Sequence, residues 1–146
     1  MSSIEPSEIK IKELISLFDK KKFDQLLKLS NELMDDFPNS ILLQNIQGVV
    51  HTELKNYKLA KNLFIKVVNL SPNYTDGHYN LANVYNKLDE NEKAIESYNK
   101  VIELDINYFK AHNNLGNIYR KKGLNKSCLL YTSDAADERS SVDLGG

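Results

Sequence analysis

An all-α fold, a right-handed solenoid of antiparallel helix pairs, is what this sequence predicts, and three observations predict it. Apolar residues recur at helical spacing in short segments. Leu81, Val84, Tyr85 and Leu88 form one stripe; Ala94, Ile95, Tyr98, Val101 and Ile102 form the next. Each segment is too short to be stable alone in water, so it must bury its stripe on neighbours. The neighbours arrive at a fixed interval of 34 residues. Pro38, Pro72 and Ile106 share one slot, Phe64 and Tyr98 another, and Ala60, Ala94 and Cys128 a third. Gly48, Ala82 and Gly116 form a small-residue series, and Tyr85 and Tyr119 an aromatic one.

A 34-residue period with small, aromatic and proline slots in this order resembles the tetratricopeptide repeat (TPR) family over residues 7–127, most strongly over 75–119. The physical reading agrees. Small residues sit where paired helices approach most closely, aromatics fill the space between pairs, and proline stops one pair before the next begins.

Taken in order, residues 1–6 are a polar lead. Residues 7–40 form a degenerate first unit, with Ile11, Leu14, Ile15 and Phe18 on one helix and Leu26, Leu29 and Leu33 on the other. Leu14 and Leu26 occupy small-residue slots, which predicts a wider helix separation, and Ser30 occupies the aromatic slot. Atypical residues are expected of a terminal unit. Asn39 or Ser40 can cap the next helix. Residues 41–74 form the second unit, with helices near 41–54 and 57–70. There Gln47 and His51 stand where the family pattern has leucine and tyrosine, which predicts looser packing. Residues 75–108 form the third unit, whose turn at Leu88-Asp89-Glu90-Asn91 offers Asp and Asn as caps. Residues 109–127 form a truncated fourth, a helix over 109–122 ended by Gly123. Its partner helix is missing, so its open face is expected to fray or self-associate. The folded core is expected to run from about Ile9 to Tyr119.

The last nineteen residues differ from the rest. Residues 1–127 hold 17 Lys and 17 Asn; residues 128–146 hold neither. The string CLLYTSDAADE resembles the translation of a sequencing adaptor read through into an open frame. Residues 128–146 are therefore expected to be a non-native or disordered tail on a truncated product. The whole chain carries a net charge of −1; residues 1–127, with 18 basic and 16 acidic residues, carry +2. That balance gives no electrostatic case for nucleic acid. The only cysteine, Cys128, lies in the tail. No apolar run is long enough to span a membrane, and the start lacks the features of a secretory signal, so a cytoplasmic protein is expected.

Nothing in the sequence points to catalysis, a cofactor or a metal. His78 and His112 lie one repeat apart, roughly 10 Å. Ligands of one ion lie about 2 Å from it, so these two cannot share it. They occupy a slot where the family often has tryptophan, so packing is their expected role. The pairs Asp35-Asp36 and Asp89-Glu90 read as solvated helix ends, and Lys20–Lys22 as a solvated turn.

One series is left over. Asn80, Asn83 and Asn86 return 34 residues later as Asn114, Asn117 and Arg120, and Tyr79 as Asn113. Asn80 and Asn83 lie on the side away from Leu81, Tyr85 and Leu88, which the family resemblance implies faces a concave groove. A side-chain amide is both donor and acceptor, so amides repeated along a groove can hold an extended peptide backbone. This resembles the asparagine ladder of the nucleocytoplasmic O-linked N-acetylglucosamine transferases, interrupted here because Ile46 stands in the second unit. Asparagine is abundant throughout, so the alternative is ordinary exposed polarity. Lys110, Arg120 and Lys121 find no opposed cations in earlier repeats to complete a carboxylate clamp. The function expected is a protein-interaction module, binding a peptide or partner helix through Tyr79, Asn80, Asn83, Asn113, Asn114 and Asn117. The alternative is the substrate-recruiting N-terminal region of a larger glycosyltransferase, sulfotransferase or methyltransferase.

Overall fold

The structure is a computed structural model that describes the backbone of residues 4–130 and the side chains of residues 4–123. The described residues form seven helices and no strand: α1 (Glu8–Asp19), α2 (Phe23–Asp36), α3 (Ile41–Glu53), α4 (Tyr57–Leu70), α5 (Thr75–Lys87), α6 (Asn91–Leu104) and α7 (Phe109–Leu130). The chain divides into two units, Met1–Tyr108 with α1 to α6, and Phe109–Gly146 with α7.

Within the first unit the turns repeat as faithfully as the helices. Lys21, Lys55 and Asp89 have φ of 57°, 65° and 60°. Around them the amides of Lys22, Asn56 and Glu90 donate to the carbonyls of Leu17, His51 and Tyr85 at 2.9, 2.7 and 2.9 Å. This six-to-one bond behind a left-handed residue is the Schellman helix stop. The sequence predicts side-chain caps at 88–91. Instead Asp89 is the left-handed residue, and no side chain caps α2, α4 or α6. A Cβ is strained at positive φ, and glycine relieves it. Lys55→Gly is therefore expected to raise stability by about 0.5–1 kcal/mol, read as an upward shift of the urea midpoint.

Between pairs, Ser40, Tyr74 and Tyr108 donate backbone N–H to Phe37, Ser71 and Asp105. Where Ile106 takes the proline slot, the Asp105 carboxylate accepts from the Asn107 amide at 3.0 Å, a side-chain turn in place of a fixed φ. Ser40 caps α3 as expected, its hydroxyl accepting from the Leu43 amide at 3.0 Å. The lead also contributes. Glu5 accepts from the Ser40 hydroxyl and from the Ile41 amide at 2.9 Å, placing a carboxylate at the positive end of α3.

The core follows most of the predicted stripes, with Ile15 of the first left half exposed and Leu43 and Val50 of α3 added. Leu14, Leu26, Leu43 and Val50 form one buried cluster; Ala60, Phe64, Leu81 and Val84 form another. Ile9 is 77% exposed and Tyr119 51%, so neither is a core residue. In the second pair Gly48 faces the Phe64 ring so closely that a Cβ on it would lie 2.5 Å from Cε1. The first pair reverses the sizes. Leu14 fills the slot of Gly48, Ser30 that of Phe64, and both are fully buried. The backbones of α1 and α2 run less closely together than those of α3 and α4, as the larger residues predict. The looser packing expected at Gln47 has a different form. Its amide nitrogen donates to Ser30 Oγ and to Asn31 Oδ1, both at 2.8 Å, so a buried polar link joins α2 to α3.

Gly123 does not end α7, which continues to Leu130 with no positive φ at the glycine. A helix interior tolerates glycine at a cost of about 1 kcal/mol, so the residue permits a stop without enforcing one. Of the expected tail, residues 131–146 lie outside the described residues.

Candidate functional site

Polar side chains join α3 and α5, the first helices of the second and third pairs. Asn80 on α5 donates its amide N–H to Asn45 Oδ1 on α3 at 3.1 Å. One turn further along α5, Asn83 accepts the phenol hydrogen of Tyr98 from α6. Tyr79 stacks, tilted, on both Tyr98 and Tyr108, with ring centroids 6.1 and 5.0 Å away. Tyr108 in turn donates to Asp76 at 2.8 Å, at the start of α5. Burial first, then that bond, pushes the Tyr108 phenol well above its usual range, so it stays a donor. Tyr74 is also raised, by burial and then by the carboxylates of Asp76 and Glu5.

Tyr79, Asn80 and Asn83 are thus brought together on α5, each half-buried. Asn113, Asn114 and Asn117 stand on α7 in the second unit, Asn114 half-buried and the other two exposed. Sequence reasoning missed Asn45, because it lies 35 residues before Asn80 instead of 34. It also took Tyr98 for core alone. The slot requires a ring, but Phe64 fills the same slot without a hydroxyl, and that difference was the available signal.

His51 and His78 bond to loop residues, whereas His112 is exposed on α7. His78 Nε2 lies 2.7 Å from the Pro72 carbonyl, which can only accept, so Nε2 carries the hydrogen. His51 Nδ1 lies 3.4 Å from the Asn56 amide nitrogen, and burial lowers the imidazole pKa. Among the described residues no three His, Cys, Asp or Glu side chains are placed to hold a metal ion, and no helix is long and apolar enough to cross a membrane.

Two family models match, one described as TPR repeat over residues 82–123 and one as tetratricopeptide repeat over residues 43–74. The chain is a tetratricopeptide repeat protein. Its TPR helices superpose on the first TPR of Spaghetti bound to the HSP90 peptide SRMEEVD, with a TM-score of 0.76, 22% identity, and coverage of 84% of this chain and 99% of that one. A mutant O-GlcNAc transferase of Thermobaculum terrenum is similar at TM-score 0.68 and 26% identity, over 81% of this chain and 23% of that one. The Hsp70-Hsp90 organising protein of Plasmodium falciparum (isolate 3D7) is 30% identical over an aligned length of 88 residues, covering 56% of this chain. The matched stretch spans only 16% of that relative's length. Asn45 lies on α3, and Tyr79, Asn80 and Asn83 on α5, each the first helix of its pair.

Proposed function

We propose that this TPR module holds an extended peptide against α3 and α5, with the side-chain amides of Asn45, Asn80 and Asn83 pairing with its backbone and Tyr79 supplying an aromatic platform. The observation that carries the reading is the Asn45–Asn80 amide pair, which bridges two repeats. An amide already committed to a neighbour is pre-oriented, so less side-chain entropy is lost when a peptide pairs with it. Asn113, Asn114 and Asn117 occupy on α7 the slots of Tyr79, Asn80 and Asn83, and the same chemistry is assigned to them. The Spaghetti structure, a TPR with a bound peptide, supports the class of ligand.

Heptapeptides selected from a randomised display library test this. Asn80→Ala is expected to weaken the selected peptides at least tenfold, while Asn62→Ala, an exposed amide on α4, leaves affinity unchanged. Asn80→Ala removes one half-buried hydrogen bond worth roughly 0.5–1.5 kcal/mol, so the fold survives. Affinity that falls only in step with the folded fraction would make the amides structural and overturn the reading.

A second reading is favoured by the O-GlcNAc transferase likeness: the same face recruits a polypeptide acceptor for a catalytic domain elsewhere in a longer protein. A native gene that runs in frame past residue 127 into a transferase domain would decide for it. A stop directly after the tail would decide against it.

A further inference from the structure

We propose that the hollow between α1 and α3 is an anchor subsite that takes one uncharged aliphatic side chain, of leucine or isoleucine size, from the bound peptide; this rests on the peptide-holding role of the amide row. The hollow is lined by Leu14, Ile15, Phe18, Asn45, Ile46 and Val49 and has a volume of about 140 Å³. An apolar cavity of roughly this size takes a benzene-sized group. Leu14 is fully buried and forms the floor, while Ile15, 48% exposed, forms an open rim. Phe18 is braced from behind by Phe23, ring centroids 5.7 Å apart, so that wall is set before a ligand arrives.

Two features select the occupant. The first is charge. No lining residue is ionisable, and the lysines on the same helix are engaged elsewhere, Lys10 with Glu13 at 3.4 Å and Lys12 with Glu8 at 3.3 Å. A carboxylate entering the hollow would lose its water and gain no partner. The second is continuity. Asn45 lines the hollow and also accepts from Asn80, so the amide row begins at its edge. A backbone held by Asn45 and Asn80 places a neighbouring side chain at the mouth of the hollow. The subsite therefore supplies the sequence preference that a row of amides lacks.

The test uses the full chain with labelled Ile, Leu and Val methyl groups, titrated with capped pentapeptides Gly-Gly-Xaa-Gly-Gly in which Xaa is Leu, Ala or Asp. Each buried methylene is worth about a fourfold gain in affinity. The Leu peptide is expected to bind at least tenfold tighter than the Ala peptide and to move the methyl signals of Ile15, Ile46 and Val49. The Asp peptide is expected to bind no tighter than Ala. Ile15→Asp, at the open rim, is expected to bring the Leu-to-Ala ratio close to one, with the signals of buried Leu26 and Val50 reporting an intact fold. Equal affinities for Leu and Ala, or a ratio unchanged by Ile15→Asp, would overturn the subsite. Leu-dependent methyl shifts with unmoved Asn45 and Asn80 amide signals would keep the subsite and overturn the amide row. Moved amides without a Leu preference would do the reverse, and no shift with any peptide would overturn both.

Discussion

Gly48→Ala is expected to destabilise the protein by about 1–3 kcal/mol, against the direction that helix propensity alone dictates. In an exposed helix interior alanine is favoured over glycine by about 0.5–1 kcal/mol. Here the added methyl would lie 2.5, 2.7 and 2.9 Å from Cε1, Cζ and Cδ1 of Phe64. That ring is 99% buried, so it cannot swing into solvent, and α3 must move away from α4 instead. Backbone displacement in a close-packed interior costs more than the propensity gain returns. Urea unfolding of the two proteins measures the difference. Phe64→Leu in the Gly48→Ala background should recover part of the loss, because removing the ring removes the obstacle. Gly48→Ala as stable as the parent would mean that the pair separates freely, and the small-residue slot would then be a matter of composition. Ala82 shows that the slot as such admits a methyl group. The penalty belongs to the placement of the Phe64 ring.

The same contrast marks where the sequence could be read and where it could not. Helix positions follow from a strict 34-residue phase, because identical local problems recur along the chain. The helix stripes bury Leu14, Leu26, Leu81, Val84, Ala94, Tyr98 and Val101 as expected, but leave Ile15 of the first stripe half exposed. What phase cannot show is an interaction whose partners are out of phase or lie outside the repeats. Glu5 caps a helix that begins 36 residues later, and nothing local to the lead signals it. Asn45 joins the amide row from one position off the slot. Lysine in the left-handed turn position is equally opaque, since residue type there predicts glycine or asparagine while the Schellman bonds hold Lys21 and Lys55 in place. The candidate site was legible as a set of residues on α5. Its organisation by Tyr98, Tyr108 and Asn45 was not, because each of those contacts joins α5 to a different helix or loop.

Gln47→Leu restores the residue that the family pattern places in this slot, and it is nevertheless expected to cost about 1–2 kcal/mol. The parent glutamine makes two bonds of 2.8 Å from one nitrogen, to Ser30 and to Asn31. A net hydrogen bond contributes about 0.5–1.5 kcal/mol, and a buried polar atom left without its partner costs more than the bond itself was worth. Ser30 is fully buried and keeps only its own bond to the Leu27 carbonyl at 3.1 Å. Asn31 is exposed and turns to water, so the Ser30 contact carries most of the loss. A leucine at 47 adds apolar area, yet the space it enters was shaped for an extended amide beside a hydroxyl. The double-mutant cycle with Ser30→Ala isolates the pair. If the two residues compensate each other, Gln47→Leu should cost less when Ser30 is already alanine, with a coupling of about 1 kcal/mol. Strict additivity would show that the polar link is incidental. Coupling would show that the departures in the first two repeats are one change made in two places: Ser30 gives up the aromatic ring, and Gln47 reaches across from the next helix to fill and satisfy the space it leaves.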